Sequence, residues 1–334
     1  MTSLPVVDVG LEVRPRGASP APPGRTVPVR RGLRERRLRR RGLLFVAPWL
    51  IGLAAFYVIP LVASLWLSFT DYELVDQDDK PTEFTGLDNW RRLIDDPDVR
   101  HSAWVTLKFA IVFLPMSLLL PLGLAYLLTS RHLWGAKIFR TLFFLPAIIP
   151  FIASAFVWQG YLNDTTGWLN RLLGVIGIDG PDWINSTTWS LPALVIIATW
   201  GIGNAIIIYM AALRSVPVEL YEAARLDGAG PWQLFRHVTW HLISPVTFYN
   251  LVIALVALGH YFIVPYVLTD GEGTPNGSTL FYTRYLYRQT FNFHEGGYGA
   301  ALAWAMFVVI MTATAIVFWS ARYWVHYQYE RRSA

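Results

Sequence analysis

Apolar residues in this chain come in long runs, not in the alternating or three-to-four-residue rhythm of half-buried soluble elements. Six runs reach the roughly 20 residues that a helix needs to cross a bilayer: Leu43 to Phe69, Trp104 to Leu128, Leu142 to Leu162, Leu191 to Leu213, Val246 to Leu268 and Ala300 to Ala321. Each carries few or no ionisable groups, Lys108 near the start of the second being the clearest exception. Within hydrocarbon every backbone polar group has to be paired inside the protein, which favours helices. The pattern predicts an all-α integral membrane protein of six transmembrane helices. Pro48, Pro60, Pro115, Pro121, Pro146, Pro150, Pro192 and Pro265 lie inside these runs. They predict kinks, not loops, since packed neighbours can satisfy the freed backbone groups.

Composition agrees: 54% of the 334 residues are hydrophobic and 15% charged, and mean hydropathy is +0.37, well above soluble domains. Cysteine is absent, which excludes disulfides, thiolate metal sites and a cysteine nucleophile. The net charge of +5 is concentrated in Arg30 to Arg41, directly before the first run. A basic block there serves orientation and anionic lipid headgroups. That explanation displaces nucleic-acid binding, the other use of such a segment. Both termini are then expected in the cytoplasm, with Arg131, Lys137, Arg140, Arg214, Arg225, Arg236, Arg322, Arg331 and Arg332 on the same side. Asp71, Glu73, Asp76, Asp78, Asp79 and Glu83 fall outside, together with Lys80, Arg91, Arg92, Arg100, Arg284 and Arg288. Residues 1–41 read as a disordered basic cytoplasmic tail, 42–322 as the six-span domain and 323–334 as a cytoplasmic C-terminal tail. The first apolar run is too long, and begins too late, for a cleaved signal peptide.

Residues 214–244 form a cytoplasmic loop too long to be a simple connection. Pro217 can start a short helix, Glu219 and Glu222 suit its positive end, and Asp227-Gly228 can leave it through a left-handed cap. Gly230-Pro231 starts a second helix whose Leu234, Phe235, Val238 and Leu242 share a face until Pro245 opens the next span. Leu220, Tyr221, Ala223 and Ala224 give the first helix a close-approach surface suited to a partner's groove.

The segment Ser215-Val216-Pro217-Val218-Glu219-Leu220-Tyr221-Glu222-Ala223-Ala224-Arg225-Leu226-Asp227-Gly228-Ala229, with Phe235, Val238 and Pro245, resembles the EAA loop of permease subunits in bacterial ABC importers. Phe139-Arg140-Thr141-Leu142-Phe143-Phe144-Leu145-Pro146, Gly167-Trp168-Leu169-Asn170, Asp182-Trp183, Val267-Leu268-Thr269-Asp270-Gly271, Thr279, Tyr287, Phe291 and Tyr298-Gly299-Ala300-Ala301 continue the likeness towards the carbohydrate-uptake, MalF-like branch. It covers nearly everything from Leu43 to Arg322. Val238-Thr239-Trp240-His241 departs from the usual Ile-x-Leu-Pro element, and Gly271-Glu272-Gly273-Thr274-Pro275 from the usual Gly-Gly-Pro.

The resemblance implies a transport subunit in the bacterial plasma membrane and no catalysis of its own. ATP hydrolysis would lie in a pair of cytoplasmic ATPase subunits, a homologous second permease would complete the pathway, and an extracytoplasmic sugar-binding protein would deliver cargo. Glu222, Ala223, Ala224, Asp227, Gly228 and Ala229 would then be the ATPase-coupling residues. No P-loop pattern occurs in the chain, so ATP phosphates have no P-loop cradle here.

Sugar needs hydrogen-bonding groups and aromatic faces within the spans. Trp200, Gly201 and Asn204 share a helical face in the fourth run, Leu258 and Tyr261 (with His260) occupy the fifth, and Phe151 follows the proline-bracketed start of the third. Each could equally serve helix packing or anchoring at the membrane interface. No metal, cofactor or catalytic role is assigned, His260 included. The external segments 85–90 and 270–298 offer surface for a binding protein or act as solvated loops, and the sequons at Asn163, Asn185 and Asn276 are taken as coincidence. The competing class is a self-sufficient secondary transporter or channel, for which intramembrane carboxylates or two-fold repeated broken helices are expected. A membrane enzyme would need clustered His, Asp or Glu, and the seven histidines are dispersed.

Overall fold

The computed structural model describes residues 31–75, 81–130, 133–269 and 273–326, with side chains from residue 42 onward. Outside it lie most of the tail expected to be disordered, the external charges Asp76, Asp78, Asp79 and Lys80, basic Arg131, and Asp270, Gly271 and Glu272 of the motif. Arg331 and Arg332 in the C-terminal tail are outside it as well. Among the described residues the structure is helical; a lone antiparallel bridge joins Thr70 to Phe84.

The chain divides into two compact units after Pro60. In the first, α1 (Arg31–Leu53) holds Pro48 within it and runs through a π turn at Ala54–Val58 to the start of α2 (Ile59–Leu67). Helix thus begins at Arg31, inside the stretch 1–41 expected to be disordered. Arginine and leucine are good helix formers, and the apolar run continues the same helix.

In the second unit, α3 (Asp88–Asp95) precedes α4 (Pro97–Thr129). Asp96 caps α4 by accepting from the Asp98 N–H at 2.9 Å, and Pro97 takes the first helical position, where no N–H is needed. Pro115 and Pro121 sit inside α4 without breaking it. This helix runs through all three apolar clusters. Val105 and Phe109 meet Leu194, Val264 and Phe281; Leu122, Ala125 and Leu128 meet Ile206, Tyr209 and Ile243; Val99 meets Tyr285, Tyr298 and Leu302.

The third apolar run is interrupted more sharply than a kink. It forms α5 (Ala136–Phe144), a 3₁₀ turn at Leu145–Ile148 and α6 (Phe151–Tyr161), with the two parts bent by 108°. Pro146 and Pro150 together remove two donors where the helix would continue, and Pro150 caps α6 in an extended conformation. A short α7 (Trp168–Val175) follows. The fourth run is also broken: α8 (Ser190–Trp200) and α9 (Gly203–Ser215) meet at 52° across Gly201-Ile202.

After α10 (Val218–Leu226), α11 (Pro231–Gln233) passes through a π turn at Leu234–Thr239 into α12 (Trp240–Leu258). Pro231–Leu258 is one long helix. Pro245 lies within it and opens no new element, correcting the expected break. The real interruption comes at Gly259–Phe262, before α13 (Ile263–Leu268). Next come α14 (Tyr282–Tyr287), a π turn at Arg288–Asn292 and α15 (Gly296–Trp324). Among the described residues four helices are long and apolar enough to cross a membrane, or up to six if each bent pair is one span.

Candidate functional site: a projecting turn and an apolar cavity

Two places collect the chemistry. The first is the turn after α10. Pro217 precedes the helix with φ −59° and ψ 132°, Glu219 lies in its first turn and Arg225 in its last, each complementing the helix dipole. The N–H groups of Asp227 and Ala229 return to the carbonyls of Ala223 and Ala224 at 3.1 and 2.9 Å. Gly228 has φ +82°, a left-handed conformation that glycine adopts without steric cost. A Cβ there would meet nothing within 4 Å, so backbone shape alone asks for glycine. Glu222, Ala223, Asp227 and Gly228 face outward, while Ala224 and Ala229 are half-buried.

The inner face of α10 is tied down by Tyr221, whose hydroxyl meets the Thr239 hydroxyl at 2.9 Å. Tyr221 and Phe235 pack against the cluster of Leu213, Val216 and Ile243. On the outer side Leu226 is 90% exposed and Trp232 69%, with Leu220 exposed as well. Arg140 fastens the neighbouring turn: its Nη2 donates to the Leu128 carbonyl at 2.8 Å, satisfying an end of α4.

The second place is a cavity of about 830 Å³ walled by α4, α9, α12 and the segment after it. Phe151, Gly201, Asn204, Leu258 and Tyr261 all border it, as does His260. Trp200 does not: it ends α8 on the far side of the break and packs edge-on against Trp158, centroids 5.7 Å apart. Trp200 and Asn204 therefore do not share one continuous helical face as the spacing predicts. Gly201 opens onto free space, a Cβ there meeting nothing within 4 Å. The close-approach glycine is Gly203, where a Cβ would lie 2.6 Å from the Phe143 carbonyl oxygen.

Tyr261 is partly committed to structure. Its hydroxyl donates to the Leu194 carbonyl at 3.1 Å, its ring stacks on Phe109 at 4.7 Å, and its carbonyl accepts from Thr283. These bonds pin the interruption after α12 to α8 and α14. His260 Nδ1 lies 2.9 Å from the Val256 carbonyl oxygen, a local bond within the helix end.

Asp96 fastens the start of α4. The Tyr285 and Tyr298 hydroxyls both donate to it, and Arg92 pairs with Glu295 at 2.8 Å while lying over the Tyr298 ring at 4.0 Å. Partial burial works against ionising Asp96, but those hydroxyls and two backbone N–H groups outweigh it and hold the carboxyl below its usual range. Burial first, then the bond to Asp96, pushes the Tyr285 hydroxyl up to about 12. Asn170 and Trp183, both within the motifs that carry the resemblance, meet through the indole N–H at 2.6 Å and hold the α7 loop.

Residues 117–326 match the model of the binding-protein-dependent transport system inner membrane component. The chain belongs to that family. Among relatives of this inner membrane component, the probable ABC transporter permease protein YesP of Bacillus subtilis is 36% identical over 290 residues, covering 86% of this chain and 92% of YesP. AmyD of Thermoanaerobacterium thermosulfurigenes, named as a probable permease for starch degradation products, is 32% identical, covering 82% of this chain and 91% of its own. A chain in the crystal structure of a bacterial alginate ABC transporter, complexed with its alginate-pentasaccharide-bound periplasmic protein, superposes with a TM-score of 0.71. It is 21% identical and covers 87% of this chain and 97% of that one, a likeness of fold. Membership decides for a permease subunit of an ABC importer over a self-sufficient carrier.

Sequence reasoning passed over Gly203, the Tyr221–Thr239 contact and Asn250. Asn250 left a legible signal, an amide within an apolar run. The other two depend on which elements meet, and spacing along the chain carries no trace of that.

Proposed function

We propose that the chain is one permease subunit of a bacterial ATP-driven sugar importer. It spans the plasma membrane six times with both termini cytoplasmic, and forms half of the path beside a second, homologous permease. Glu222, Ala223, Ala224, Asp227, Gly228 and Ala229 seat α10 in a cleft of one of two ATPase subunits, and an external sugar-binding protein delivers cargo. The cargo named for AmyD supports carbohydrate.

The observation that carries the coupling role is the continuity of Pro231–Leu258. The same helix that begins beside α10, tied to it through Tyr221 and Thr239, supplies Tyr249, Asn250, Ile253, Ala254, Ala257 and Leu258 to the cavity wall. At 1.5 Å per residue, Thr239 to Leu258 spans roughly 28 Å. A push on α10 is thus delivered to the cavity wall along one stiff rod, and two packings of the rod correspond to two states of the path. The projecting apolar side chains of Leu220, Leu226 and Trp232 suit a partner's groove better than water.

The test is uptake of radiolabelled sugar by cells carrying Glu222→Ala or Gly228→Pro. Membrane insertion persists, uptake falls and the ATPase copurifies poorly. Normal uptake in both variants removes the coupling assignment.

A further inference from the structure

The short helix α7 has three different faces. Leu169 and Leu173 pack against the cluster of Val105, Phe109 and Leu162, whereas the α10 turn packs near Leu128, so α7 lies towards the other end of α4. Asn170 fixes its rotation. The amide nitrogen donates to the carbonyls of Asp164 and Pro181 at 3.0 and 3.1 Å, and the amide oxygen accepts from the Trp183 indole at 2.6 Å. Held in this way, α7 turns Trp168, Leu172, Val175 and Ile176 outward. Their spacings of four, three and one put them on one helical face, and each is between 61% and 84% exposed. Turning that stripe inward would break the three bonds of Asn170. A contiguous apolar face of this kind marks contact with a partner or a membrane.

We propose that α7 is a membrane-surface foot, its outer stripe seated in phospholipid at the edge of the bilayer. Charge and position favour lipid over protein. The third face carries Arg171 and Gly174, both exposed, and the Arg171 guanidinium lies 5.9 Å from the Trp168 ring centroid. From there its stem covers apolar surface while the cation reaches a phosphate. No acid occurs between Asp164 and Asp179, so nothing on the helix repels that phosphate. Tyr161, exposed, ends α6, and Trp189, also exposed and edge-on to Trp183 at 5.3 Å, precedes α8. With Trp168 they gather rings where two apolar helices end, the interfacial position of tyrosine and tryptophan. At 1.5 Å per residue α7 is roughly 12 Å long, too short to cross hydrocarbon and suited to lie about 5–10 Å into the interface. The importer reading above supplies only the leaflet, the outer one.

The absence of cysteine allows single reporters. Leu172→Cys and Val175→Cys on the stripe, and Gly174→Cys on the third face, are each labelled with bimane. The importer is assembled with its partner permease and ATPases in nanodiscs of phosphatidylcholine and phosphatidylglycerol. A Cβ at Gly174 meets nothing within 4 Å, and Ile176→Cys repeats the stripe reading should either leucine or valine variant assemble poorly. Quenching is measured with lipid spin-labelled near the headgroup, with lipid spin-labelled near the chain end, and with aqueous iodide. The headgroup-proximal label is expected to quench the stripe about twofold more than the chain-end label, and iodide to quench Gly174→Cys about twofold more than the stripe, as a shallow seat requires. Iodide quenching of the stripe equal to that of Gly174→Cys leaves the face in water and overturns the proposal. Protection from iodide with no quenching by either lipid puts the partner permease over the face and overturns it too. So does a stripe that iodide reaches until loaded sugar-binding protein is added. None of these readings involves uptake, so they stand apart from the coupling test with Glu222→Ala and Gly228→Pro.

Discussion

The hydroxyls of Tyr221 and Thr239 meet at 2.9 Å, and through this contact α10 is fastened to the helix that continues to the cavity wall. Tyr221→Phe keeps the ring packing and deletes the bond, at a cost of about 1 kcal/mol. Stability therefore changes little, while sugar moved per ATP hydrolysed falls. An unchanged ratio in reconstituted importer shows that motion passes by another contact.

Trp200 and Asn204 separate by experiment, because they lie on opposite sides of the Gly201-Ile202 break. Trp200→Ala loses the edge-on pair with Trp158, worth about 0.5–1.5 kcal/mol beyond its buried area, and lowers the melting temperature with the apparent KM for sugar nearly constant. Asn204→Ala, exposed and on the cavity wall, does the reverse. Thermal melts and uptake kinetics on the two variants check this.

Gly203 and Gly201 answer oppositely to alanine. At Gly203 the new methyl group collides with the Phe143 carbonyl, and overpacking of this kind costs about 1–3 kcal/mol. At Gly201 it meets nothing, so the fold persists and any effect is confined to uptake. Expression level and melting temperature of the two variants report the difference.

Asp96 makes stability depend on acid. Its folded carboxyl titrates below its usual value, so its contribution is complete above the unfolded value of about 3.9 and is lost as pH falls through the lower folded value. Asp96→Asn preserves the helix cap, since asparagine caps as well as aspartate, yet removes the charged acceptor from Tyr285 and Tyr298. Melts in detergent between pH 3 and 6, taken as about the range of carboxylate titration, show a flatter profile for the variant.

The α10 turn was legible in the sequence because its signals are local: a proline before the helix, acids at its start, a glycine where φ must be positive. The broken third and fourth runs were not. Pro48, Pro115, Pro121 and Pro245 lie inside unbroken helices, whereas Pro146 and Pro150 flank a 108° bend, and a proline alone does not say which. The outcome depends on whether neighbouring elements satisfy the freed carbonyls. The cavity residues were legible as polar and aromatic positions in apolar runs. Which of them face the cavity follows from the breaks, and so Trp200 drew attention while Asn250, about two and a half turns before the interruption at Gly259, did not.

The central claim is that α10 enters an ATPase subunit and carries its motion to the cavity. Leu226→Cys in this cysteine-free chain, loaded with a benzophenone maleimide and illuminated in the assembled importer, tests it most directly. Leu226 is 90% exposed at the tip of α10, and the predicted result is a cross-link to the ATPase subunit. Cross-links confined to lipid or to the partner permease contradict the account.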